Sequence, residues 1–280
     1  MKKILLPTDF SDNSKNAISY ALKLFKEEEC IFYILNTYTP IVYQMEYMQA
    51  STGQFELYDV VKKSSLHGLS TIKKEIEKTY FNAKHTIQTI STFNTLISEI
   101  KDLVRSKNID MVVMGTQGAS DVKGVLFGSN TVHVFKNVKS PILAVPSGFE
   151  FEPVQEVLFP TDYEVDFQDN QIEPLLELAS NSHYRVNVLH VNYGEMLSEK
   201  QKQNKENLKV YFKHIAHIFH DVKNNNVEDA INEFQLKAKI NLLVMINNKH
   251  SFFENLFFKS TINQIGFHLN IPFLVIPSKQ

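Results

Sequence analysis

Eight residues near the start of the chain return in its second half. Lys3-Ile4-Leu5-Leu6-Pro7-Thr8-Asp9-Phe10 is echoed by Glu156-Val157-Leu158-Phe159-Pro160-Thr161-Asp162-Tyr163. Three more apolar runs recur in the same order. Ile31–Leu35 is matched by Val186–Val191, with His190 where Asn36 stands. Ile109–Met114 is matched by Ile240–Met245, and Ser140–Ser147 by Ile271–Ser278. Repetition at this length predicts a duplicated domain, with boundaries at 1–149 and 150–280 and a linker over Gly148–Pro153.

The runs are continuous rather than alternating, as in strands buried on both faces. Helical patterns separate them. Ala17, Ile18, Ala21, Leu22 and Phe25 form one such stripe after a helix start at Ser11 or Asp12. A long amphipathic helix is expected over about Phe55–Tyr80, a strand over Thr86–Ile90 and a helix over Asn94–Ser106. Alternating strands and helices of this kind give an α/β fold: two repeated, doubly wound parallel-sheet (Rossmann-like) domains. Ligands bind such sheets outside the carboxyl ends of the strands, where strand order reverses. Three loops of the first copy lie at those ends: the one with Asp9, the one with Thr37, and the one after Met114.

That third loop has the character of an anion site. The apolar run Met111–Met114 stops at Gly115; Gly118 follows, and after nine more residues come Gly128 and Ser129, just before a helical pattern at Thr131, Val132, Val134 and Phe135. Glycine lets the backbone approach a ligand closely. A helix N-terminus adds unpaired N–H groups and the positive end of a dipole. In the second copy Ile246, Lys249 and Phe258-Lys259 replace these glycines and the serine, and the loop is one residue shorter. The first copy therefore reads as a binder and the second as its structural partner.

Composition removes other classes. Of 280 residues 43% are hydrophobic and 21% charged, with a net charge of -2 and a pI near 6.6. No basic excess points to nucleic acid, and Arg105 and Arg185 are the only arginines. No stretch reaches the length of a membrane span and no leader peptide is visible, so a cytoplasmic protein is expected. The single cysteine, Cys30, opens an apolar run and reads as a small buried hydrophobe.

The repeated strand-P-T-D start, the D-M-V-V-M-G-T strand end and the S-P-I-L-A-V-P terminus together make the chain resemble a tandem universal stress protein over nearly all its length. Gly115, Gly118, Gly128 and Ser129 fit that family's ATP signature, G-x2-G-x9-G-[S/T]. The resemblance implies ATP, or AMP or ADP, with or without Mg²⁺, bound in the first domain. It puts Asp9 on the ribose or adenine side, Pro7 and Thr8 in that wall, Thr37 against adenine and Met114 beneath the base. The phosphates would meet backbone N–H groups around Gly115, Gly118, Ser129 and Asn130. It also implies an intramolecular pseudo-dimer through the last strands, a homodimer as an optional further step, and a protein partner whose identity the sequence does not give.

No catalytic residues are assigned. There is no G-x-x-x-x-G-K-[S/T] loop, no carboxylate pair placed for Mg²⁺ and no G-x-S-x-G elbow; Asp121 and Lys123 read as solvated loop charges. No metal site is assigned either. His214, His217 and His220 recur every three residues on what reads as one helix, but a metal needs further ligands in fixed geometry. His133 and His190 read as packed residues. The expected function is an adenine-nucleotide-binding stress-response or signalling module. Two alternatives stand beside it: a weak ATP hydrolase, and an interaction or chaperone-like scaffold using the Tyr/Met-rich segment Ile41–Gln54.

Overall fold

The computed structural model describes residues 1–39, 53–116, 127–167, 169–180, 184–223, 227–247 and 270–277. In the first half, β1 (Lys2–Pro7), α1 (Asp12–Leu24), β2 (Cys30–Tyr38), α2 (Gly53–Thr79), β3 (His85–Phe93), α3 (Leu96–Lys107), β4 (Met111–Gly115), α4 (Ser129–Asn137) and β5 (Ile142–Val145) follow one another. The second half runs β6 (Glu156–Pro160), α5 (Asp169–Ser180), β7 (Arg185–Asn192), α6 (Glu199–Tyr211), β8 (Ala216–Lys223), α7 (Val227–Ala238), β9 (Leu242–Asn247) and β10 (Phe273–Pro277).

All ten strands join one sheet in the order β3-β2-β1-β4-β5-β10-β9-β6-β7-β8. Pairing is parallel within each half and antiparallel only where β5 meets β10, with Leu143 opposite Leu274. The two halves thus join through their last strands.

Successive residues of a strand face opposite sides, and here both sides are covered. Ile4 and Leu6 pack under α1 and α2, while Leu5 packs under α3 and α4. In β4, Met111 and Val113 go one way, Val112 and Met114 the other. The second half repeats this, with α5 and α6 on the first face and α7 on the second. This two-sided burial explains the unbroken apolar runs. Among the described residues no helix is long and apolar enough to cross a membrane.

Helix starts follow local chemistry. Ser11 caps α1 by accepting from the Ser14 amide, Thr95 caps α3, and Ser198 caps α6 in a reciprocal capping box with Gln201. The halves are also tied by side chains. Asn247 Nδ2 donates to the Phe135 carbonyl of α4 at 2.8 Å, and Lys2 Nζ bridges Glu28 and Glu177 at 2.8 and 3.2 Å. Phe127, Phe135 and Phe273 form an aromatic triangle across the seam, with centroids 5.3–5.9 Å apart.

Two expectations are corrected. His214, His217 and His220 do not share a helix: α6 ends at Tyr211, and His217 and His220 lie in the edge strand β8. A three-residue separation puts them on opposite faces of a strand. His133 is exposed on α4, whereas His190 is buried as expected. Cys30 is fully buried, which pushes its thiol up to about 12.

Candidate functional site

The strand order places β1 between β2 and β4, and the connections from β1 and β4 leave toward opposite faces. A crevice opens between them at the carboxyl ends of the strands.

Its first wall is the turn after β1. Thr8 N donates to the Leu35 carbonyl at 2.8 Å, continuing the ladder one residue past the strand. Phe10 then takes a left-handed conformation, φ 67°, costly for a bulky residue. Two side chains hold it there. Phe10 N donates to Thr8 Oγ1 at 3.0 Å, and Ser11 N donates to Asp9 Oδ1 at 3.1 Å. Asp9 Oδ1 also accepts from Ser11 Oγ at 2.5 Å, so the carboxylate is oriented at the crevice rim. Tyr163, φ 59°, repeats this turn with Thr161 and Asp162.

The opposite wall is the start of α4. Gly128 N donates to the Thr116 carbonyl at 2.7 Å, closing the loop at its base. Thr131 Oγ1, buried, lies 3.1 Å from the Gly115 and Thr116 carbonyls. Gly128 is the N-cap and offers no side-chain acceptor, and the first turn holds no acidic residue. The N–H groups at the start of α4 therefore lack the oxygen that Ser11, Thr95 and Ser198 supply to α1, α3 and α6.

Between the walls lies a cavity of about 230 Å³. Pro7, Thr8, Asp9, Thr37, Met114, Gly115, Gly128, Ser129 and Asn130, nine of the residues singled out from sequence, line it. The tenth, Gly118, lies outside the described residues, as do Asp121, Lys123, Lys249, Phe258, Lys259 and most of the Tyr/Met-rich segment. Sequence reasoning missed four lining residues: Ser14, Asn36, Leu96 and Thr131. Only Asn36 carried a signal, as the position where the second copy has histidine.

Gly115 has a reason of its own to be glycine. A Cβ there would lie 2.5–2.9 Å from the amide head of Asn13 on α1. The absence of the glycine from the second copy therefore does not make it dispensable in the first. The second half differs locally: α1 starts three residues after Asp9, whereas α5 starts seven after Asp162, and Ile246 is buried.

The ionisable cluster of the second half has another character. His190 stacks on the buried ring of Tyr163 at 5.0 Å. Its Nδ1 is 3.2 Å from Asp221 Oδ1, close enough for electrostatic attraction but not aligned as a hydrogen bond. Lys205 Nζ reaches Asp221 at 3.0 Å and lies over the Tyr163 ring. Burial lowers the His190 pKa against the pull of Asp221, and raises that of the Tyr163 phenol. Gln201 and Asn204 tie the Asp162 and Tyr163 carbonyls to α6 at 2.9 and 2.8 Å. No group of three or more His, Cys, Asp or Glu placed for a metal occurs among the described residues.

The same architecture is found in known proteins. A universal stress protein from Archaeoglobus fulgidus matches 98% of this chain and 96% of its own, with a TM-score of 0.71 at 18% identity, a likeness of fold. Two universal stress proteins of Methanocaldococcus jannaschii match about half of this chain. MJ0577 is 28% identical over 156 residues, 94% of its length, and MJ0531 is 32% identical over 145 residues, 81% of its length. The model of the universal stress protein family matches residues 1–146. With more than half of its length matched by that model, the chain belongs to the universal stress protein family.

Proposed function

We propose that residues 1–149 form an adenine-nucleotide-binding domain, that residues 150–280 form its structural partner, and that the chain acts as a stress-response or signalling module responding to ATP, AMP or ADP, with or without Mg²⁺. The observation that carries this reading is the polarity of the crevice. One wall offers the N–H groups of an uncapped helix start beside Ser129 and Asn130; the other offers the acceptors Asp9 and Asn36. A nucleotide has the matching polarity, anionic at the phosphates and rich in donors at the nucleoside. Met114 and Leu96 supply the apolar contact a base requires.

Binding is favoured over turnover. Asp9 is the one ionisable side chain among the described lining residues, so no cation there meets charge developing on a transferred phosphoryl group. The deeper reading is a nucleotide-dependent association with a protein partner or a second chain, in the cytoplasm.

Calorimetric titration tests the proposal. Wild type is expected to release heat with at least one of ATP, ADP and AMP, and Gly118→Phe to bind it at least tenfold more weakly. No heat with any of the three, or unchanged affinity in Gly118→Phe, refutes it.

A further inference from the structure

We infer that Asn36 sets which ligand the crevice accepts, by presenting a fixed hydrogen-bond acceptor that only a donor-bearing nucleoside can meet; the inference rests on the nucleotide reading above. Asn36 lies near the end of β2, lines the cavity and is 7% exposed. Its Nδ2 donates to the Thr8 carbonyl at 2.7 Å. A carbonyl only accepts, so the nitrogen end of the amide is committed to the backbone and the orientation of the head is fixed. Among the described residues nothing donates to Oδ1, and the residue that carries it lines the cavity. The cavity that the residue lines is the space left for a donor to reach it.

The neighbouring hydroxyls are engaged with one another. Ser14 Oγ donates to the Ser11 carbonyl at 2.9 Å, so Thr8 Oγ1 is the donor in its 2.8 Å contact with Ser14 Oγ, while accepting from Phe10 N. Thr131 Oγ1 is turned to two backbone carbonyls. The protons of these three hydroxyls are thus spoken for, and the deep wall is left with an acceptor at Asn36. A ligand that displaces water from Oδ1 without offering a donor leaves a nearly buried acceptor unsatisfied, which weakens its binding.

The second half gives the contrast. His190, at the matching position, titrates and has two tautomers, whereas the asparagine amide has one polarity at any physiological pH.

The donor is an N–H or O–H of the nucleoside, either the exocyclic amine of the base or a ribose hydroxyl. Titration with ATP, purine riboside triphosphate (no 6-amino group), 2′-deoxy-ATP and 3′-deoxy-ATP separates the sources. One of these analogues is expected to bind wild type about tenfold more weakly than ATP. Asn36→Leu is expected to bind ATP at the analogue's level and to lose the discrimination. Asn36→His, a residue the fold accepts at position 190, guards against a variant that fails to fold: its preference is expected to vary with pH between about 5 and 8. Equal binding of all four nucleotides by wild type overturns the inference while sparing the nucleotide reading, as does a preference that persists in a folded Asn36→Leu. An absence of ATP binding in wild type overturns both.

Discussion

Replacing Ser129 by glutamate separates the stability of α4 from its proposed task as a phosphate site, because the two respond with opposite signs. Ser129 is the first residue of the helix and is exposed; its N-cap, Gly128, makes no side-chain cap and its first turn holds no acid. A carboxylate there meets the positive helix end and is expected to stabilise the protein by about 0.3–1 kcal/mol, which raises Tm by roughly 1–4 °C for a chain of this size. The same carboxylate opposes a bound phosphate. Two unit charges about 4 Å apart repel by about 1 kcal/mol in water and about 4 at an effective dielectric near 20. The exposure of Ser129 puts the penalty in the lower half of that range, about 1–2 kcal/mol, or roughly 5–30-fold in Kd. Thermal melting and ATP calorimetry in 0.1 M salt read the two effects, and the binding penalty should shrink at 1 M, where screening reaches about 3 Å. A variant that melts higher but binds ATP within twofold of wild type would show that phosphates do not sit at the start of α4. One that melts lower would refute the account of an uncapped helix end.

Other outcomes follow from packing and charge. Gly115→Ala drives a Cβ against the Asn13 amide and should cost about 1–3 kcal/mol; in chemical denaturation, Gly115→Ala with Asn13→Ala should lose less than the sum of the two single changes. Phe127→Ala removes one corner of the aromatic triangle at the seam and should cost about 3–5 kcal/mol. It should also weaken ATP binding, because Gly128 and Ser129 follow directly; lost stability with intact affinity would mean the seam and the loop are independent. His190 and His220 both have lowered pKa values, for which burial is the main cause. At these two positions the unfolded chain binds more protons than the folded one in the window from about pH 6.5 down to the lowered folded values, so stability falls as pH drops through that window. In pH-dependent denaturation His190→Gln should flatten part of that slope, and an unchanged slope would remove His190 from the account.

The sequence carried the sheet because two-sided burial leaves no polar alternation to confuse the reading: Ile4–Leu6, Met111–Met114 and Phe273–Ile276 are apolar on both faces. The P-T-D turn was legible for a local reason, since Thr8 and Asp9 each bond an amide two residues on. Strand β8 was not legible. Ala-His-Ile-Phe-His-Asp-Val-Lys sits at an edge and buries little, so its histidines suggested a helical spacing that its backbone does not have. The crevice was half legible. Residues in the two strand-end motifs are contiguous and stood out, whereas Ser14, Leu96 and Thr131 come from the first turns of three helices and are gathered only by folding. The pairing of Gly115 with Asn13 joins residues about a hundred positions apart, and no local pattern encodes such a contact.

The antiparallel pairing of β5 with β10 has a consequence for dilution. Because the two halves share one chain, each sees the other at an effective concentration set by the short connection from Val145 to Glu156 rather than by the amount of protein present. The melting temperature of the seam should thus be independent of protein concentration, unlike that of a dimer built from separate subunits. Strand-by-strand growth of the assembly is then left to β3 and β8, the two strands at the outer edges.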